Sequence, residues 1–197
     1  MFEGNDRTLI TGPFIRRIIN ILYIYLFITL AVSAAYADGN KYIGTIGCKL
    51  CHQSEKQGSQ FFIWQKSKHA EAYQTLTSAK SAEIAKAKGL KKSAAESPEC
   101  LTCHAVTVDA KLIDKTFDTK EGVQCESCHG AGSSYKTMSV MKNKAKAVAA
   151  GLVEYKDQAS IEKLCKTCHN KKSPTYKEFR FREMWDVIKH PVPKKTK

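Results

Sequence analysis

Histidine is scarce in this chain, and cysteine is absent from all but four short stretches. The 197 residues hold six histidines and eight cysteines, and every cysteine lies in one of four pentapeptides. No thiol is left over for a separate disulfide framework, and only two histidines stand outside those stretches. Long apolar runs are missing too. The best, residues 21–32, is interrupted by Thr29 and falls short of the roughly 20 apolar residues of a spanning helix. Acids are few, 19 against 32 lysines and arginines. The four pentapeptides are spaced by 52, 25 and 40 residues, so there is no internal duplication. Neither a linker nor a second folded domain is visible.

What is present is one pattern, four times. It reads Cys48-Lys49-Leu50-Cys51-His52, Cys100-Leu101-Thr102-Cys103-His104, Cys125-Glu126-Ser127-Cys128-His129 and Cys165-Lys166-Thr167-Cys168-His169. Each reads as a site of covalent c-type haem attachment. Two thiols one helical turn apart add to the two porphyrin vinyl groups, and the histidine supplies the proximal nitrogen to iron. A zinc ribbon and a set of disulfides are the rivals. Neither requires a histidine directly after the second cysteine of every pair. Chance placement of four of six histidines at those positions has a probability of about one in a million.

The first 37 residues read as a signal peptide. Arg7, Arg16 and Arg17 form a basic start, residues 21–32 an apolar centre, and Ala35-Tyr36-Ala37 a small-x-small cleavage site. An uncleaved membrane anchor is the alternative. Residues 38–197 are then one exported domain, expected in the periplasm, with an extracellular location the variant of that reading. Export agrees with haem attachment outside the cytoplasmic membrane. Removing residues 1–37 takes the formal charge from +13 to +12, and eight haem propionates would bring it to about +4. Lysines therefore have a nearer use than nucleic acid, balancing propionates and meeting acidic redox partners.

Axial ligands can be counted. Four irons have eight axial positions. His52, His104, His129 and His169 fill four as proximal ligands, and His69 and His190 can fill two more. At most two haems are bis-histidine within one chain. His69 shares a helical face with Phe62, Tyr73 and Leu76 in a helix expected over 60–79. His190 stands at the end of a helix expected to start at Ser173-Pro174. Asp157 is expected to cap the helix running into the fourth motif. A helix is expected over 135–152, with Met138 and Met141 on nearly one face. Residues 106–120 suggest a short hairpin at most, and the tail from Lys194 is expected to be disordered.

The chain resembles the tetrahaem cytochrome c-554 family, electron acceptors of hydroxylamine oxidoreductase. The resemblance rests on the first motif followed by Trp64-x-x-Ser67-x-His69-Ala70-x-Ala72, on Gly122-Val-x-Cys-Glu-Ser-Cys-His-Gly130, and on Tyr176, Phe181, Glu183-Met184 and a closing His190. It implies a mainly α fold, helices and loops wrapped around four stacked haems. It further implies that His129 pairs with His190 and His169 with His69, that the second haem, on His104, has an open distal side, and that His52 takes a ligand from shortly after the third motif. The family has a histidine there, and this chain has none. Among Tyr135, the lysines, Met138 and Met141, a neutral thioether suits the iron best, so Met141 or Met138 is the expected ligand.

The leading reading is a periplasmic electron carrier between an oxidoreductase donor and a cytochrome or membrane quinone-linked acceptor, with membrane contact only peripheral or through an uncleaved anchor. No catalytic residue is assigned. Reduction of nitric oxide, hydroxylamine or nitrite at an open haem is the first alternative, and a subunit of an extracellular haem conduit the second.

Overall fold

The computed structural model describes residues 17–23 and 39–191. Contacts divide the chain into Met1–Gly39 and Asn40–Lys197. Of the first unit, residues 17–23 are described; they are helical and exposed. The expected signal peptide lies mostly outside the described residues, as does the tail from Lys194. Among the described residues no helix is long and apolar enough to cross a membrane.

The second unit is built from short helices. In chain order they are α1 Gly44–His52, α2 Gln60–Gln65, α3 Ala72–Thr75, α4 Ala79–Ala87, α5 Pro98–His104, α6 Cys125–His129, α7 Met138–Met141, α8 Lys144–Ala149, α9 Gln158–Cys168 and α10 Phe181–Ile188. Four 3-10 turns lie between them. No strand occurs among the described residues; one isolated parallel bridge joins Tyr42 to Ile113. The mainly α fold class is therefore observed.

Several expected helices are shorter than their patterns suggested, and each interruption has a cause. The helix over 60–79 is broken into α2, α3 and the start of α4. The chain turns off after Gln65, where Ser67 N–H donates back to the Trp64 carbonyl at 2.8 Å; farther on, the His69 carbonyl accepts from Ala72 N–H at 3.2 Å and, across the fold, from Val123 N–H at 2.9 Å. Ser78 then opens α4 by accepting from Ser81 N–H at 3.2 Å. The helix over 135–152 is instead α7 and α8. Asn143 stands between them and accepts from Lys146 N–H, capping α8 rather than continuing α7. The last helix starts at Phe181, whose buried ring anchors it, not at Ser173-Pro174. There the Ser173 hydroxyl accepts from Thr175 N–H and makes a local turn. No hairpin forms over 106–120. Asp109 and Asp118 accept from Lys111 and Lys120 N–H and wind 3-10 turns. The Asp157 cap is as expected, in a reciprocal capping box with Ser160.

Two cores of different character hold these pieces. Leu76, Ala85 and Ala94 form an apolar cluster, with Leu90, Ala95, Cys100 and Leu101 packed against it. The other core is polar at its centre. Glu126 is only 2% exposed. Its carboxylate accepts from Ile43 N–H (2.9 Å), Gly44 N–H (2.8 Å) and Gly132 N–H (2.7 Å). Beside it, Glu121 accepts from the Thr45 hydroxyl at 2.8 Å and the Thr45 N–H at 3.3 Å. Helix α1 has no capping side chain of its own. Its first N–H groups, which no helix can satisfy internally, are met by two carboxylates from roughly 80 residues downstream.

Candidate haem-attachment sites

Each of the four pentapeptides lies on a helix that ends with its motif. Helices α1, α5 and α6 close on His52, His104 and His129, and α9 closes on Cys168 with His169 at its C-cap. The two cysteines of every pair are thus one helical turn apart, and all eight are free thiols. The helices sit in neighbouring sets. Helix α1 packs on α6, and α5 on α9. The thiols of Cys48 and Cys125 are neighbours, as are those of Cys103 and Cys168. Burial and the neighbouring Cys168 push the Cys103 thiol up to about 11, and burial with the nearby Cys165 does the same for Cys128, also to about 11. Among the described residues no group of three or more His, Cys, Asp or Glu converges as a structural zinc site would need.

The two histidines outside the motifs each meet a motif histidine. The rings of His69 and His169 have centroids 6.1 Å apart, and those of His129 and His190 are 5.9 Å apart. Two imidazole–metal bonds of about 2 Å, plus roughly 1 Å from each nitrogen to its ring centre, place axial rings about 6 Å apart. The donor set therefore fits an iron between each pair. Desolvation keeps these imidazoles neutral, the form that binds metal. Burial, then the nearby His190 and His52, lowers His129 to about 4. Burial lowers His69, with His169 adding to it, and burial also lowers His169 and His190, although His169 and His190 keep an exposed face. Phe179 stacks on the His169 ring at 4.6 Å.

Backbone contacts aim these side chains. The His129 carbonyl accepts from Val153 N–H at 3.0 Å, and the Tyr135 hydroxyl donates to the Gly130 carbonyl at 2.7 Å. Tyr135 is thereby committed, and burial raises its phenol further, which removes it as a ligand to iron. His104 Nδ1 lies 2.8 Å from the Ala72 carbonyl and 3.2 Å from the Thr75 hydroxyl. A proton on Nδ1 held by that carbonyl leaves Nε2 with its lone pair free, the usual arrangement around a ligating histidine.

Among the described residues neither His52 nor His104 has a second imidazole ring packed against it at the roughly 6 Å spacing of the two pairs. His52 lies near the His129–His190 pair and lowers both members. Of the two candidate thioethers, Met141 is half-buried, whereas Met138 is 62% exposed at the start of the four-residue α7.

Sequence reasoning missed two features. Glu126 carries no role of its own in the sequence pattern, standing only within the block Gly122–Gly130, yet it ties the first and third motifs together. A carboxylate between two cysteines of a buried helix, followed by two glycines, was the available signal. Trp64 was noted in a motif without a role. Its indole N–H donates to the Val123 carbonyl at 2.8 Å, joining α2 to the strand of chain that enters the third motif.

No curated protein and no solved structure matches this chain. Residues 47–130 match the family model described as cytochrome c554 and c-prime, a span holding the first three motifs, His69 and Gly122. The match supports a cytochrome c family, and with it covalently bound haem c and electron transfer.

Proposed function

We propose that the protein is a periplasmic electron carrier with four covalently attached haems. One observation carries the reading: the only two histidines outside the four motifs each lie about 6 Å, ring to ring, from a motif histidine. Two random histidines have no reason to find such partners at the spacing of an intervening metal.

The eight cysteines would hold the four groups as thioethers, and His52, His104, His129 and His169 would be the proximal ligands. His69 and His190 would be distal ligands of the fourth and third haems. Met141, the more buried thioether, is the candidate distal ligand opposite His52, with Met138 second. Haem c, when bound, supplies a ferric–ferrous couple that takes up and gives back one electron. The chain's own residues ligate, space and partly desolvate that group. The excess of lysine over acid provides a docking surface for acidic redox partners.

A second reading is reduction of nitric oxide, hydroxylamine or nitrite, and the lack of any imidazole beside His104 favours it. Steady-state assays separate the two. A carrier is expected to be reduced and reoxidised by redox proteins without sustained turnover of any of the three small molecules. Turnover faster than free haem would overturn the carrier reading in favour of the enzyme.

A further inference from the structure

The segment 69–75 faces two haem sites at once. The His69 ring meets His169, and three residues on the Ala72 carbonyl and Thr75 hydroxyl meet His104 Nδ1. Such a segment needs an anchor, because α3 is only four residues long and too short to be stable by itself. Its anchor is the chain entering the third motif. Val123 N–H donates to the His69 carbonyl at 2.9 Å, and Trp64 Nε1–H holds the Val123 carbonyl from the other side at 2.8 Å.

Gly122 makes the approach geometrically feasible. Its φ is +76° with ψ −139°, a backbone conformation that suits glycine. A methyl group at Gly122 would lie 2.5 Å from the His69 carbonyl oxygen and 3.0 Å from that of Ala70. Both are backbone atoms and cannot swing aside like a side-chain tip. Any larger residue at 122 has to push the His69 backbone away.

We propose that the Gly122–Val123 backbone, backed by Trp64, is the positioning element of His69, so that the approach to the third motif fixes the distal ligand of the fourth haem. The proposal rests on His69 being that ligand, and the experiment separates the two claims. In the holoprotein, low-temperature electron paramagnetic resonance counts low-spin and high-spin ferric centres. Carbon monoxide titration counts reduced haems with an open position. Gly122→Ala is expected to lose one low-spin centre and gain one carbon monoxide-binding haem relative to the parent, reproducing His69→Ala. Gly89→Ala is the control. Its φ is also positive, +67°, but an added methyl touches nothing within 4 Å; it is expected to keep the parent's counts. Trp64→Phe, which removes only the indole N–H, is expected to give a partial conversion at the same site. If Gly122→Ala does not accumulate as holoprotein, Trp64→Phe decides. Parental counts in these variants, alongside loss of a low-spin centre in His69→Ala, would overturn the clamp and leave the ligand assignment standing. Parental counts in His69→Ala would overturn the ligand assignment and the clamp with it.

Discussion

The first and second motifs are seated by opposite means. Helix α1, carrying the first, begins on N–H groups that converge on the buried Glu126 carboxylate, more than 80 residues away in sequence. Helix α5, carrying the second, leans on Leu76, Ala85 and Ala94 through apolar contact. In one region two carboxylates do the joining, and removal of Glu126 alone strands several buried donors. In the other the same task is spread over small side chains, none of which is indispensable. Helices too short to persist alone can be held either by a polar hub or by a diffuse apolar one, with different tolerance of change.

The comparison is broken most severely at Glu126. Glu126→Ala leaves the N–H groups of Ile43, Gly44 and Gly132 without their acceptor, and each buried unsatisfied donor costs about 1–3 kcal/mol. A loss of at least about 3 kcal/mol is expected by denaturant titration. Glu126→Gln, which keeps one carbonyl oxygen, should lose clearly less. Equal losses would mean that the full carboxylate, with its charge and both acceptor oxygens, is required at this position. In the apolar region, Leu76→Ala is expected to cost about 2–3 kcal/mol, the low end for a buried leucine, because its neighbours are small and one edge is near solvent. If it cost more than Glu126→Ala, the contrast between the regions would be reversed.

Much of this arrangement was legible in the sequence, and the reasons differ by feature. The four Cys-x-x-Cys-His motifs were plain because the pattern is local: two thiols and a histidine within five residues. The His69 and His190 candidates came from counting, since no other histidine was free. The Asp157 cap was also local. The polar hub was not legible, because it joins residues 43, 44 and 132 to 126 through the third dimension, and a glutamate between cysteines carries no mark of that use. The helix breaks were missed for the same reason. Apolar spacing runs over 60–79, but the chain turns after Gln65 and its next residues pair with Val123 on another segment.

The capping of α9 sharpens the comparison on a smaller scale. It is capped from within, by Asp157, whereas α1 is capped from afar. The Ser160 backbone N–H, then its hydroxyl, holds the Asp157 carboxyl below its ordinary 3.8. A depressed carboxyl stabilises the fold above that ordinary value and loses its contribution as pH falls through the folded value. Thermal midpoints of the parent and Asp157→Ala should therefore differ at neutral pH and converge in acid, below 3.8. A gap that persists unchanged in acid would assign the difference to something other than the charge. The smallest effect is expected at Thr75→Val. His104 Nδ1 keeps the Ala72 carbonyl at 2.8 Å, so losing the longer hydroxyl contact should cost under about 1 kcal/mol and leave the visible spectrum of the reduced protein unchanged.

The proposal of covalent haem at all four motifs is decided by intact mass spectrometry of the purified mature protein. The account predicts a polypeptide beginning near Asp38 with the added mass of four haems, resistant to acid–organic extraction. A mass showing fewer haems after expression with a complete maturation system, or thiols bound to zinc, would contradict it.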